Sequence, residues 1–377
     1  MNLKTQPKIM RLPPFQLERF FARYEFTARY LLCTSDCEPL DMQELLSMAG
    51  EEMMKLWENL KLGYTESQGN SLLRKEISGL YSRLQPVELL VLTPEEGIFI
   101  AMNCMLQAGD QVVCTYPGYQ SLYEIARSLG CSLSFWKPVW ENGWRFRMED
   151  LLQQVKKETR LLVINFPHNP TGVSIGMADF EAIMQLARER NMLVFSDEMY
   201  RLLEQDSTQR LPAACDLLEN AVSLSGLSKS FALAGLRIGW LATRNRELFK
   251  RFATYRDYTT ICNSAPSELL ALVALQNKER ILERNLQIIR TNLDILDSFF
   301  REYADRFHWY RPQAGTVAFP ALAPGLNVQA FCADLLEKTG VLLLPATELD
   351  FEGNFFRIGF ARKNMPDALR EMGKYLW

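Results

Sequence analysis

"RLLVINFPHNPTG" at residues 160–172, followed by "FEAIMQLARERN" at 180–191 and "MLVFSDEMY" at 192–200, decides the fold. A continuous apolar run ends in polar turn residues. An amphipathic stretch follows, and a second apolar run ends in two carboxylates. Strands apolar on both faces, alternating with helices, indicate a parallel sheet covered on both sides. The rhythm starts earlier in the chain: "ELLVL" (88–92) leads into "EEGIFIAMNCML" (95–106), and "GDQVVCTYPGY" (109–119) into "SLYEIARSLG" (121–130). From about 266 to 305 the pattern is helical with few breakers. Then "WYRPQAGTVAFPAL", a helix near 328–338, "GVLLLPA", "FFRIGFA" and a closing helix read as α+β. The expected fold class is α/β. Residues 1–45 form an N-terminal arm contributing to the small domain, 46–265 a large domain with a mostly parallel sheet, and 266–377 a smaller C-terminal α+β domain.

The 377 residues, 48% hydrophobic and 23% charged, suffice for that two-domain plan. Net charge is −3 with no basic block, so nucleic acid is not the expected partner. No apolar run approaches the ~20 residues of a membrane helix. "MNLKTQPKIMRLPPF" lacks the apolar centre of a signal peptide. Eight cysteines without metal-like spacing read as reduced thiols, which implies a cytoplasmic protein. His168 and His308 are too few for a histidine-rich metal site, and no metal is expected. His168 reads as a packing residue.

Polar groups fall just after strand ends, where open α/β sheets bind ligands. They are "NFPHNPTG" (165–172), "SDEMY" (196–200) and "SKSFALAGLR" (228–237), joined later by "FFRIGFA" (355–361). Within "SLSGLSKSFALAGLRIGW" (223–240), Lys229 has only Arg237 as charged company. Burying a lone amine is costly unless something binds or reacts with it.

In this order and spacing, the groups resemble the class I/II aminotransferases, the aspartate aminotransferase family of fold type I pyridoxal-phosphate enzymes. The resemblance runs from "GYTESQG" (63–69) to "FRIGFA". It implies pyridoxal 5′-phosphate as cofactor and Lys229 as the lysine that holds it as a Schiff base. That lysine then moves the proton between substrate Cα and cofactor C4′. Asp197 would face the pyridine nitrogen, Asn169 and Tyr200 the ring's phenolate oxygen, and Tyr119 the ring face. The phosphate would be met by Arg237, Ser228 and the start of the helix at "TPEEG". Arg357 matches the arginine that binds the substrate α-carboxylate, with Asn169 beside it. The reaction implied is amino transfer from an L-amino acid to a 2-oxo acid. Alternatives are a lyase, a cyclising enzyme resembling capreomycidine synthase, or a regulator that only senses the cofactor. Tyr64 implies a homodimer with shared sites, since relatives send this tyrosine to the neighbour's phosphate.

Departures from the family pattern stand out. Gly226 replaces a common phosphate-binding serine, leaving Ser228 as the expected contact. Glu95 and Glu96 stand where glycine and alanine are usual. Both are expected to point away from the phosphate, leaving the amides of Glu96 and Gly97 as donors. "LLLPATELDFEGN" (342–354) suggests a different lid over the substrate. The segment "YTTICNSAPSELL" (258–270) has no arginine for a second substrate carboxylate. "TSDCEPL" (34–40) should bring Asp36 and Glu38 near the substrate, favouring a cationic or neutral side chain.

Overall fold

The structure is a computed structural model and describes residues 12–376; residues 1–11 of the expected arm lie outside the described residues. Seven strands form the central sheet, in the order Leu89–Leu92, Gly239–Ala242, Ala221–Gly226, Leu193–Asp197, Thr159–Asn165, Gln111–Thr115, Ser132–Trp136. Neighbours are parallel except at Gly239–Ala242, which runs antiparallel to both of its partners. The pleat sends alternate residues to opposite faces. Val112, Cys114, Leu161 and Val163 pack with Ile98, Met102, Leu122 and Phe252 on one side. Val113, Leu162 and Ile164 pack with Leu151, Phe180 and Ile183 on the other. Both faces are covered, which is why these strands read as unbroken apolar runs.

A second core gathers round the long helix Lys278–Glu302, with Leu293, Leu296 and Phe300 meeting Phe356, Ile358 and Leu369. Its three-stranded antiparallel sheet is ordered Val317–Ala318, Phe356–Gly359, Leu344–Pro345. The N-terminal segment joins this half: Tyr30–Leu31 pairs in parallel with Val341–Leu342, and helix Gln16–Tyr24 packs on the turn Ala346–Leu349. The "LLLPATELDFEGN" segment therefore seats the N-terminal helix. Helix Ala265–Gln276, placed by the sequence at the start of the small domain, instead packs on Ser71–Ser78. Its Leu270, Leu272 and Val273 share a core with Leu89, Val91 and Trp240 of the large sheet. Apolar on nearly all sides, it needs burial on all sides, and only the large half offers that. Among the described residues no helix is long and apolar enough to cross a membrane.

One glycine sets how closely the N-terminal segment lies on the small half. The Gly359 amide donates to Leu32 O at 2.7 Å. A Cβ on Gly359 would collide with the Thr34 carbonyl oxygen, so residues 32–36 lie flat on the strand only because that side chain is absent. Gly359→Ala is expected to cost about 1–3 kcal/mol through overpacking. Denaturant unfolding would show a lowered midpoint at unchanged slope; an unchanged midpoint would count against this close approach.

Candidate active site

Three parallel strands bring their carboxyl ends to one edge. Asn165 and Asp197 end adjacent strands in register, and Asn165 Nδ2 donates to Asp197 O at 3.0 Å. Lys229 follows the end of the next strand, Ala221–Gly226. The antiparallel strand starts at this same edge with Gly239, opposite both Gly226 and Leu92. Arg237, just before it, is thereby delivered to the edge where the parallel strands finish, beside the helix Pro94–Met105 that begins after Leu92. From the small half, Arg357 enters on strand Phe356–Gly359. The result is a cavity of about 380 Å³. Lys229, Asp197, Tyr200, Asn169, Tyr119, Ser228, Arg237, Arg357 and Asp36 all line it.

The charged groups in it do not neutralise one another. Asp197 is 6% exposed and takes a 3.1 Å hydrogen bond from the Met199 amide, yet burial pushes its carboxyl up to about 7. Arg357 is fully buried (0% exposed) with no carboxylate partner among the described residues. Its Nε and Nη2 donate to Cys33 O at 3.1 and 2.9 Å, and Nη1 reaches Asn169 Oδ1 at 3.4 Å. Lys229 Nζ donates to Ser35 Oγ at 2.8 Å, and burial holds its amine below the ordinary lysine range. Tyr200 donates to Ser35 O at 3.1 Å, with its phenol pushed up to about 12 by burial. A buried carboxylate, amine and guanidinium left mutually unpaired suit an amphoteric ligand.

Several expected residues behave differently. Glu96 does turn away, accepting from Thr259 and Thr260 at 2.5 and 2.8 Å. Glu95 does not: it faces the cavity, where Ser121 Oγ donates to its Oε1 and its Oε2 is buried without a partner. Ser121, opening its own helix, supplies the donor that turns Glu95 inward. The Gly97 amide is spent on Thr93 O at 2.9 Å, the first bond of the helix. Pro94 has no N–H, so the free donors of that first turn are Glu95 and Glu96. Tyr64 is 91% exposed and outside this chain's cavity. Glu38 is also outside it, accepting from the Lys363 amide at 2.9 Å. Asp36 lines it but is held by Arg362 Nη2 at 2.8 and 3.0 Å. His168 is buried beside Phe146 and hydrogen-bonded to Thr171 at 2.8 Å, with burial pushing its ring down to about 3.

Sequence reasoning missed Ser35, Glu18, Phe21 and Glu25, which also line the cavity. For Ser35 the signal was "TSDCEPL", which pointed to the right segment but to Asp36 rather than its neighbour; Glu18, Phe21 and Glu25 lie outside that stretch.

Residues 32–371 match the family Aminotransferase class I and II. The chain belongs to this family. Capreomycidine synthase of Streptomyces vinaceus is 29% identical over 266 residues, 71% of this chain and 68% of that protein. The aspartate aminotransferase of Sulfurisphaera tokodaii is 25% identical over 325 residues, 82% and 80% of the two chains. The crystal structure of a PLP-dependent aminotransferase from Streptococcus suis superposes with a TM-score of 0.91 at 30% identity, covering 97% of this chain and 98% of that one. The fold is thus that of the fold type I pyridoxal-phosphate aminotransferases, and the cofactor of this family is pyridoxal 5′-phosphate. The cavity fits that cofactor. Lys229 offers a buried amine with a lowered pKa, and Asp197 a buried carboxyl for a ring nitrogen. Arg237 and a helix start with free amides suit a phosphate.

The Asp197 shift sets a pH dependence for the cofactor-free protein. A carboxyl at about 7 in the fold against 3.8 ordinarily stabilises the fold only while protonated. Wild-type stability is therefore lost progressively as pH rises from about 4 to about 7. Cofactor-free Asp197→Asn should melt above the wild type at pH 8, the gap closing toward pH 4. A constant gap would show that Asp197 is not held up by burial.

Proposed function

We propose that the protein is an aminotransferase that moves the amino group of an L-amino acid to a 2-oxo acid, in two half-reactions on one site. The observation that carries this reading is Lys229, a buried amine set in one cavity with Asp197 and Arg357. Arg357, fixed by the Cys33 carbonyl, binds the substrate α-carboxylate through its remaining N–H groups. Lys229, its charge disfavoured by burial, would take the proton from substrate Cα and pass it to the cofactor's C4′, the relocation that amino transfer requires. Pyridoxal phosphate, when bound, supplies the electron sink for the carbanion at Cα. Asp197 would hold a proton at the pyridine nitrogen, Asn169 and Tyr200 would meet the ring's oxygen, and Tyr119 would pack on the ring. Arg237, Ser228 and the Glu95 and Glu96 amides hold the phosphate. A second reading, elimination or ring closure on the same residues, draws on the likeness to capreomycidine synthase. A cytoplasmic location accords with eight free cysteines.

Borohydride reduction of the loaded protein should fix the cofactor to Lys229, and Lys229→Ala should lose both the adduct and turnover. With an amino donor and a 2-oxo acid, product analysis should show stoichiometric amino transfer. Ammonia release or a cyclic product would favour the second reading, and a fully active Lys229→Ala would remove both.

The working unit we propose is a homodimer with shared sites. Tyr64 and Tyr258 are 91% and 87% exposed, and Thr65 Oγ1 donates to Asn263 O at 3.0 Å, joining the segments that carry them. Exposed aromatic groups clustered this way mark an interface. Mixing inactive Lys229→Ala subunits with inactive Tyr64→Ala subunits should restore part of the activity, because hybrid dimers contain one intact site. No recovery would overturn sharing.

A further inference from the structure

Resting on the aminotransferase reading, we infer that the cavity wall contributed by the N-terminal helix is a subsite for a cation, a guanidinium or ammonium at the distal end of the substrate side chain, with Glu25 as its main ligand and Glu18 beside it. The inference comes from assigning each charge on the cavity wall a partner. Arg357 faces the α-carboxylate, Arg237 the phosphate and Asp197 the ring nitrogen, while Asp36 is already taken by Arg362. Glu95 is held at the start of its helix by Ser121. With Lys229 kept for the cofactor, Glu18 and Glu25 remain, and neither has an ion-pair partner among the described residues.

Glu18, Phe21 and Glu25 recur at three- and four-residue spacing, so they share the face that helix Gln16–Tyr24 and its cap residue Glu25 turn toward the cavity. Phe21 lies with its ring centroid 5.8 Å from the Arg357 guanidinium carbon. A substrate anchored at Arg357 would run its methylenes along Phe21 and end at the two carboxylates. Glu18 accepts from Tyr119 Oη at 3.1 Å, whereas Glu25 has no hydrogen-bond or ion-pair partner among the described residues. Burial first, then the carboxylates of Asp36 and Glu18, push the Glu25 carboxyl up. Arg362 and Lys229 work the other way, but neither pairs with Glu25. The same cavity holds the fully buried Arg357, which has no carboxylate partner among the described residues, and so offers the anchor for the substrate's other end. A dicarboxylate would meet repulsion at Glu18 and Glu25 and find no free arginine, since Arg362 is bound by Asp36.

The test uses the cofactor-loaded enzyme with arginine, lysine, norleucine and glutamate as donors. Dissociation constants are read from the cofactor's absorbance, and kcat/KM from single donors against one 2-oxo acid. Arginine or lysine should exceed norleucine by at least tenfold, and glutamate should rank last. In Glu25→Gln the ratio of the preferred cationic donor to norleucine should fall to within about threefold, and Glu18→Gln should reduce it less. Because the readout is a ratio, partial loss of folded protein does not alter it. Norleucine matching both cationic donors in the wild type, or an undiminished ratio in Glu25→Gln, would overturn the subsite while leaving the aminotransferase reading standing. If no amino acid at all perturbs the cofactor, the aminotransferase reading fails and the subsite with it.

Discussion

The site depends on a short run of chain, residues 33–35, lying across it. The Cys33 carbonyl accepts two hydrogen bonds from Arg357, and the Ser35 carbonyl accepts from the hydroxyls of Tyr200 and Thr316. Ser35 Oγ takes Lys229. Groups from three separate parts of the chain are thereby aimed at one cavity. Backbone carbonyls suit this task better than carboxylates: they satisfy the N–H groups of a buried cation without cancelling its charge. Arg357 therefore stays a net positive charge, out of water and available to an anion. The Gly359 approach is what allows the run to lie so close to the strand that carries Arg357.

Much of this was legible in the sequence because strand ends fix position. A parallel strand that stops at Asn165 or Asp197 must present those residues at the ligand-binding edge, and a loop that follows the next strand must present Lys229 there. Arg237 was legible only through resemblance. Its physical reason is the one antiparallel strand, whose start coincides with its neighbours' ends. What could not be read depends on contacts across hundreds of residues. Ser35 meets Lys229 from 194 positions away, and helix Gln16–Tyr24 faces the cavity only because it packs on Ala346–Leu349. Its hydrophobic spacing could show an amphipathic helix but not which glutamates would be left facing inward. The boundary near Ala265 was misread for a related reason: the helix composition demands burial without saying against which half.

One departure from the family pattern, Gly226, goes with a neighbouring proline. Pro94 opens its helix at the first turn, where its fixed φ and missing N–H are harmless. Its ring then rests against the edge formed by Gly226 and Gly239. A Cβ on Gly226 would come within 3.2 Å of the Pro94 ring and 3.0 Å of Gly239 Cα. A serine at that position would need Pro94 or the Gly239 strand to give by a few tenths of an ångström, and Ser228 is the serine that reaches the cavity.

Glu95 is the sharper departure, because it places a carboxyl where the helix start would otherwise serve a phosphate alone. The positive end of a helix stabilises one anion readily, but two negative groups competing for it repel each other in a partly buried space. Burial, the leading influence on Glu95, raises its pKa, while its Ser121 hydrogen bond works the other way. A nearby dianion would push it further in the raised direction, so burial and the phosphate both disfavour the charge on Glu95 that would compete for the helix start. The burial that makes an ionised Glu95 costly is thus what makes a carboxyl tolerable beside a phosphate.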